Sequence, residues 1–252
     1  MFQAMKTISL AIIIPTLNEE YFIGDLLDSI AKQTVWPKEI VVVDAYSPDN
    51  TISEIKKRQK SLPQLKFYQI PRSTISKQRN LGVSKTRSEH ILFLDADMEL
   101  KQKDTLERYY NEVLEKKPDC AAAINLPNSN YWKDNIFFKL ENLLFKVSQS
   151  IWLIVTARNL YIKRELFNKI GGFDEQVAVA EDQELVHRVI KKRGKFTFLE
   201  DSSIYTSTRR VEKEGRRKYF LKMAKFGFKI AMLGHRKSNI KYEFGNFKRL
   251  NQ

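Results

Sequence analysis

Two aspartates one residue apart, Asp95 and Asp97, are the side chains best placed for chemistry, because they follow the apolar segment Ile91–Leu94. Such a segment predicts a buried strand, whose carboxyl end opens into the crevice where open α/β sheets bind ligands. Residues i and i+2 of an extended backbone share a face, so the two carboxylates would lie close together and repel. A divalent cation that keeps some waters and takes ligand phosphates would relieve this repulsion. The alternative is a strand that ends in a solvated acidic turn.

The preceding chain supplies strands and helices in alternation, which would position this aspartate pair. Apolar runs predict four strands, at Ile8–Ile14, Glu39–Val43, Lys66–Ile70 and Ile91–Leu94. Helical periodicity between them predicts βαβ units, which form parallel sheets with right-handed crossovers. We therefore predict an α/β fold with a Rossmann-like, mostly parallel sheet and helices on both faces.

Finer expectations concern one helix start and the late strands. Asn18 is predicted to cap the helix over Glu19–Gln33, because a side-chain oxygen there can accept a backbone N–H of the first turn. Near the end of the domain, Lys195–Leu199 and Ile204–Ser207 predict two short strands. We expect a domain over residues 1–215 and a basic amphipathic helical extension over 216–252.

Composition indicates a globular protein with an anionic partner. Of 252 residues, 42% are apolar, which is enough for a substantial core. Lysine and arginine number 44 against 30 acids, a net charge of +14, which favours nucleic acid, an anionic membrane or a phosphorylated substrate as partner. Cys120 is the only cysteine, so no intramolecular disulfide can form and a reducing compartment is expected.

Six short motifs occur in the order and spacing of a known family. They are Pro15–Glu20, Val41–Asp44 with Ser47–Thr51, Lys77–Gly82, Phe93–Asp97, Gly171–Glu175 and Glu181–Asp182. Through them the chain resembles the family 2 glycosyltransferases with the GT-A fold, from about Ile8 to Gly215. The resemblance implies an enzyme that moves a sugar from a nucleotide diphosphate sugar to an acceptor hydroxyl with inversion.

The resemblance also implies roles for individual residues. Positions that match contacts to the nucleotide sugar are Pro15, Thr16, Glu19, Asp44, Arg79 and Asp95. Asp95 and Asp97 match the family's DxD pair, which binds Mn²⁺ or Mg²⁺ on the diphosphate. A metal would offset the charge of the leaving diphosphate. The family often has two aspartates where Ala45 follows Asp44 here, which loosens the assignment of the base contacts.

Asp182 matches the base that deprotonates the acceptor hydroxyl, and a carboxylate within hydrogen-bond reach suits that task. The alternative for Asp182 is an ordinary acid in the first turn of a helix. Arg209 and Arg210 match a segment that closes over the diphosphate in related enzymes, and the alternative is a solvated charge run. Many relatives have a further histidine ligand for the metal late in the domain, but Tyr205–Thr208 contains none.

The basic extension predicts an interfacial helix, because its lysines recur along one narrow stripe with apolar residues around them. These lysines are Lys218, Lys222, Lys225 and Lys229. Such a helix is attracted to anionic lipid; the alternative is a helix docked on the domain or on a second subunit. We expect a cytoplasmic protein at the inner face of the cell membrane, with a lipid-linked or cell-envelope glycan acceptor and a UDP-, GDP- or dTDP-sugar donor.

Two other function classes remain as alternatives. A nucleotidyltransferase can share this sheet architecture, but those enzymes resemble one another in a glycine-rich basic loop after the first strand, and the chain has Pro15–Glu20 there. A nucleic-acid-binding protein is indicated by charge alone. The acidic strand ends argue against nucleic acid in the crevice, so we expect no nucleic-acid partner.

Overall fold

The computed structural model describes residues 6–148, 158–177, 179–219, 221–222, 225 and 229. The strands are β1 (Lys6–Thr16), β2 (Val35–Asp44), β3 (Leu65–Gln69), β4 (His90–Leu94), β5 (Met98–Glu99), β6 (Cys120–Pro127), β7 (Asn159–Lys163) and β8 (Phe196–Thr206). The helices are α1 (Ile23–Ala31), α2 (Thr51–Arg58), α3 (Ile75–Ser84), α4 (Thr105–Lys116), α5 (Trp132–Ser148), α6 (Arg164–Lys169), α7 (Glu181–Lys191) and α8 (Arg209–Glu214).

All eight strands belong to one sheet, in the order β3-β2-β1-β4-β7-β6-β8-β5. Strands β3, β2, β1 and β4 are parallel to their neighbours, as the βαβ pattern predicts. Strand β7 is antiparallel to both β4 and β6, whereas β6 and β8 are parallel to each other. The predicted α/β fold is confirmed, with an all-parallel half and a mixed half.

Helices cover both faces of the sheet, and β1 shows why. Ile12 and Ile14 enter one buried layer together with α1 and α4, while Ala11 and Ile13 enter the other with α3 and α7. Alternate residues of a strand point to opposite faces, so a strand that is apolar at every position requires cover on both. Burying one such isoleucine stabilises the fold by about 1.5–3 kcal/mol.

Helix α3 approaches the sheet unusually closely at Gly82. A Cβ atom at this position would lie 2.4 Å from Cγ2 of Ile13 on β1, closer than carbon atoms can pack. The glycine therefore lets the helix backbone contact the strand. At the other end of α3, the Thr74 hydroxyl caps the helix by accepting the Lys77 backbone N–H. Together these contacts fix α3 against the strands that end at the candidate site.

The structure corrects two of the finer expectations. Asn18 does not cap a helix: it has a left-handed φ of 57°, and α1 begins only at Ile23 after a turn. The two predicted short strands form one strand, β8, of 11 residues. Its register against β6 shifts between Ala123 and Ile124. This irregularity interrupts the strand pattern in the sequence, so one continuous strand has the pattern of two short strands.

Two expectations fall partly or wholly on residues that the structure does not describe. The amphipathic helix predicted over Asn135–Trp152 is present as α5 up to Ser148, and its last residues lie outside the described chain. The extension helix also lies mostly outside, including its apolar residues Phe220, Met223, Phe226, Phe228, Ile230 and Leu233. Among the described residues, none of the helices has the length and apolar character needed to cross a membrane.

Candidate active site

The carboxyl ends of the parallel strands surround a cavity of about 100 Å³. Strand β1 pairs with β2 up to Thr16 opposite Asp44, and β4 lies on the other side of β1, so the polar strand ends meet at one edge as predicted. The predicted site residues that line the cavity are Pro15, Thr16, Glu19, Asp95, Asp97, Arg209 and Arg210. Asp44, Arg79 and Asp182 lie outside this lining.

Asp95 and Asp97 occupy a tight turn between β4 and β5. The Met98 N–H donates to the Asp95 carbonyl at 3.2 Å, and the Ser207 N–H donates to the Asp97 carbonyl at 3.0 Å. The second bond ties the aspartate turn to the chain that follows β8. The Asp97 side chain is 13% exposed and that of Asp95 is 33% exposed, so both carboxylates reach the cavity without being fully solvated.

One guanidinium, that of Arg209, contacts two of the cavity carboxylates. Its two terminal nitrogens donate to the Glu19 oxygens at 2.7 Å each, and its Nε lies 3.0 Å from Oδ2 of Asp97. Burial lowers the pKa of Arg209, but the charges of Asp97 and Glu19 outweigh burial and raise it overall. Burial raises the pKa of Glu19 to about 7, against the lowering effect of Arg209.

A second arginine, Arg79 on α3, lies behind the aspartate turn. It is 2% exposed and donates to Oδ1 of Asp95 at 2.8 Å and to Oε1 of Glu181 at 2.9 Å. Its guanidinium also lies 5.2 Å from the ring of Phe173. Arg79 therefore joins the end of β4 to the start of α7. The contact with the nucleotide that the resemblance implies for Arg79 stays a prediction.

Asp44 is also fully buried beside the cavity, and its oxygens have partners in the protein. It accepts the hydroxyls of Thr16, at 3.1 Å, and Ser47. It also accepts the Ser47 backbone N–H at 2.9 Å and an amide N–H of Gln69 at 3.3 Å. Asp44 thus holds the loop after β2 against the end of β1.

Asp182 lies in the first turn of α7, after Ala180 in a left-handed conformation. The Gln183 N–H donates to its Oδ1 at 2.8 Å. Its pKa is raised to about 7, first by burial and then by the neighbouring charge of Glu181, against the lowering effect of Arg79. A carboxyl with a pKa near neutral can take up a proton at physiological pH, which suits a general base.

The donor set of the cavity fits a hard divalent cation. Asp95 and Asp97 offer carboxylate oxygens one residue apart, and Mg²⁺ typically binds through one or two carboxylates, substrate phosphates and water. Within the described residues, no group of three or more histidine, cysteine, aspartate or glutamate side chains is arranged to hold a metal. A cation here would therefore complete its coordination with ligand oxygens and water. Arg79 contacts Asp95 and Arg209 contacts Asp97, so both carboxylates already stabilise a positively charged group.

Several residues that complete the site carried no clear signal in the sequence. Gln78 lies inside a recognised motif, and its buried amide donates to the carbonyls of Thr16 at 2.8 Å and Val43 at 3.2 Å. Arg158 and Tyr219 line the cavity from segments without a motif. Phe137 and Phe138 on α5 also line it. The helical periodicity of this segment predicts an apolar helix face, but not that these two side chains line the cavity.

Comparison with known proteins adds a family match. Residues 11–171 match the model described as glycosyl transferase family 2. A poly(ribitol-phosphate) β-N-acetylglucosaminyltransferase, TarS of Staphylococcus aureus, is 27% identical over 212 residues, which is 79% of this chain and 35% of that protein. The chain thus spans about a third of the length of that relative.

Two further relatives match more of their own length. The O-antigen chain rhamnosyltransferase RfbN of Salmonella typhimurium is 25% identical over 226 residues, covering 84% of this chain and 70% of that protein. A PGL/p-HBAD biosynthesis glycosyltransferase of Mycobacterium tuberculosis is 30% identical over 174 residues, covering 68% of this chain and 66% of that protein.

Solved structures share the fold. TarS residues 1–349 of S. aureus in complex with UDP-GlcNAc has a TM-score of 0.66 and 25% identity, covering 80% of this chain and 59% of that one. The mannosyltransferase PcManGT of Pyrobaculum calidifontis, in complex with GDP-Man and Mn²⁺, has a TM-score of 0.68 and 22% identity, covering 90% of this chain and 61% of that one. The chain therefore has the GT-A fold that its sequence predicted.

Proposed function

Because the chain belongs to glycosyl transferase family 2, we propose that it transfers a sugar from a nucleoside diphosphate sugar to an acceptor hydroxyl, with inversion at the anomeric carbon. The observation that carries this proposal is the cavity at the strand ends, where Asp95 and Asp97 face Glu19 and Arg209. It combines carboxylates for a cation with arginines for phosphate, the two groups that bind a diphosphate.

The donor lies with its nucleoside on the β1 side of the cavity, beside Pro15, Thr16 and Glu19. Asp44 supports this side through the Thr16 hydroxyl. The diphosphate then lies over the aspartate turn, within reach of Arg209 and Arg210. The candidate nucleotides are UDP, GDP and dTDP. The first two are supported by relatives, since TarS has been solved with UDP-GlcNAc and PcManGT with GDP-Man.

Asp95 and Asp97 would hold Mn²⁺ or Mg²⁺, with Asp97 as the main protein ligand. When bound, the cation offsets the negative charge that develops on the departing diphosphate. Arg79 keeps Asp95 in place through its 2.8 Å bond, so one carboxylate oxygen is oriented before any ligand arrives. Arg209 provides a guanidinium beside the diphosphate and exchanges its contact with Asp97 for phosphate oxygens.

Asp182 acts as the general base. A carboxylate with a pKa of about 7 accepts the acceptor's hydroxyl proton as the oxygen attacks the anomeric carbon. Attack from the side opposite the departing diphosphate inverts that carbon. Arg79 and Glu181 position the start of α7, because their 2.9 Å ion pair ties this helix to the aspartate turn.

The acceptor is a cell-envelope glycan or a lipid-linked sugar, and the enzyme works in the cytoplasm at the inner face of the membrane. Support for the acceptor comes from the relatives, whose names refer to poly(ribitol-phosphate), O-antigen chain and PGL/p-HBAD biosynthesis. Support for the location comes from the net charge of +14. The family favours sugar transfer over the nucleotidyltransferase alternative, and the acidic strand ends disfavour nucleic acid.

Calorimetric titration with UDP, GDP and dTDP, each with and without Mn²⁺, tests the donor site. We expect one nucleotide to bind in a metal-dependent manner, and we expect Asp97→Asn to lose that dependence because it removes a charged ligand. Asp25→Asn, at an exposed position on α1, is the matched control and should bind as the parent does. Absence of binding by all three nucleotides would overturn the proposal.

A further inference from the structure

Helix α5 exposes a row of large apolar side chains to solvent. Trp132, Ile136, Leu140 and Leu143, named here the outer stripe, are 61%, 55%, 52% and 56% exposed. Their spacing of four, four and three residues places them within an arc of about 80° on the helix surface. A contiguous apolar row of this kind on a folded domain typically marks an interaction site.

The opposite face of α5 already has partners in the domain. Asp134 and Phe138 are each 2% exposed. Asn142 binds the backbone of Asn125 on β6 through its amide, at 2.8 and 3.1 Å. The helix is therefore docked by its inner face, and the outer stripe points away from the core that holds it.

Lysines flank the outer stripe on both sides. Lys133 lies at one margin, with its Nζ 5.4 Å from the ring of Trp132. Lys139 and Lys146 lie at the other margin, where Lys146 also pairs with Glu200 at 2.7 Å. The acids of the described helix turn away from this face. Asp134 pairs with Arg216 at 2.7 Å, and Glu141 lies 3.7 Å from Arg158. The solvent face of α5 thus combines apolar and cationic side chains.

We propose that the outer stripe of α5 docks the protein onto an anionic lipid surface. The apolar side chains would enter the interfacial region of the bilayer, while the flanking lysines would contact anionic headgroups. Long lysine side chains suit this arrangement, because their methylene stems can lie along the apolar boundary while the ammonium stays at the headgroups.

Charge separates this occupant from two others, a second copy of the chain and residues 230–252. A second copy would bring its own flanking lysines and a net charge of +14. Residues 230–252 of this chain are also basic, with Arg236, Lys237, Lys241, Lys248 and Arg249 against the one acid Glu243. Either cover would place like charges beside Lys133 and Lys139, whereas anionic lipid supplies the complementary sign.

The location of the stripe also defines the acceptor, and this step rests on the proposed function. Phe137 and Phe138, on the same helix, line the cavity that contains Asp95 and Asp97. A domain docked through α5 therefore holds the cavity next to the headgroup layer. The acceptor hydroxyl that enters there belongs to a molecule anchored in the membrane.

Cosedimentation of the full chain with vesicles tests the surface. We compare phosphatidylcholine vesicles with vesicles that also contain phosphatidylglycerol, at low and high ionic strength. The parent should bind the anionic vesicles, with weaker binding at high salt. Ile136→Ser/Leu140→Ser should weaken binding at least about tenfold, because two apolar side chains no longer insert. Lys139→Gln should weaken it about fivefold.

The matched control is Leu114→Ser/Ile190→Ser, which changes two exposed apolar side chains, 47% and 41% exposed, on α4 and α7. This control should bind vesicles as the parent does. Equal vesicle binding by the stripe variant and the parent would overturn the proposal. Failure of the parent to bind anionic vesicles would also overturn it. A stripe variant that only changes the oligomeric state would instead assign the face to a second copy and overturn it too.

Nucleotide titration separates this inference from the proposed function. The stripe variant leaves the cavity residues intact and should bind the donor nucleotide with the parent's affinity. Thermal unfolding of both double variants confirms that each is folded. Loss of vesicle binding with retained nucleotide binding supports the docking surface, whereas vesicle binding without any nucleotide binding would leave it standing and overturn the proposed function alone.

Discussion

Arg209 and Glu19 form a bidentate ion pair across 190 residues of sequence, with both nitrogen–oxygen distances at 2.7 Å. The Nε of the same guanidinium lies 3.0 Å from Asp97. The pair is nearly buried, since the side chains are 6% and 11% exposed. The segment after β8 is thereby bound to the turn after β1, beside the aspartates that we propose as metal ligands.

Replacing Arg209 should therefore destabilise the fold. Arg209→Met leaves the buried carboxylates of Glu19 and Asp97 without their counter-charge, and we expect the free energy of unfolding to fall by about 3–5 kcal/mol. Urea denaturation measures this change. Arg108→Met is the control, because Arg108 is 39% exposed and pairs with Asp104 at 3.1 Å on the surface of α4; its cost should stay below about 1 kcal/mol. Equal losses of unfolding free energy in Arg209→Met and Arg108→Met would show that the buried ion pair stabilises the fold no more than the surface pair does.

Two substitutions at Asp44 separate its charge from its hydrogen bonds. In Asp44→Asn, the hydroxyls of Thr16 and Ser47 can turn to accept the new amide, while the remaining oxygen still accepts the Ser47 N–H. In Asp44→Ala these donors lose their acceptor, so we expect a loss of about 1–3 kcal/mol in unfolding free energy. Denaturation of both variants measures the difference. A loss of unfolding free energy that is larger in Asp44→Asn than in Asp44→Ala would show that the loop depends on the negative charge of Asp44.

Turnover should depend on Asp182 far more than donor binding does. Asp182→Asn keeps the size of the side chain but cannot take up the acceptor proton, and the rate should fall by roughly 10²–10⁴. Nucleotide affinity, measured by calorimetry, should stay at the parent value. Normal turnover by this variant would assign the base to another group. In the parent, the rate should rise with pH through about 7, where the Asp182 carboxyl loses its proton.

The same pKa predicts that Asp182 destabilises the folded protein above neutral pH. The carboxyl titrates at about 7 when folded and has an ordinary value of 3.8, so the folded state holds the proton more tightly. Stability from this group falls as pH rises from 3.8 to about 7 and stays low above that. Asp182→Asn should therefore gain unfolding free energy over the parent, by more at about pH 8 than at about pH 5. A gain that is the same at both pH values would contradict the raised pKa.

The sequence predicts the parallel half of the fold well, because local patterns suffice there. Strands β1, β2 and β4 are apolar runs that end in polar residues, and parallel strands must bring those ends to one edge. Local patterns fail at Asn18. Asparagine is favoured both as a helix cap and as a turn residue in the left-handed conformation, so the residue type does not distinguish the two. The sequence predicts two short strands in place of β8, because a register shift within one strand has no sequence pattern of its own.

Long-range pairs explain what the sequence could not predict about the site. Arg79 and Glu181 are 102 positions apart, and no spacing rule links them. Cavity residues such as Arg158 come from segments without a motif. The outer stripe of α5 was hidden for a different reason. An apolar helical period predicts that a helix has an apolar face, but not whether that face meets the core or the solvent.

The contacts made by Arg216 and Tyr219 bear on how the chain can be divided. Both residues follow position 215, where we predict that the domain ends, yet Arg216 pairs with buried Asp134 and Tyr219 lines the cavity. A protein shortened to residue 215 would lose one wall of the cavity and would leave a carboxylate on α5 without its guanidinium. The smallest fragment that keeps the described cavity whole must therefore extend at least to Tyr219.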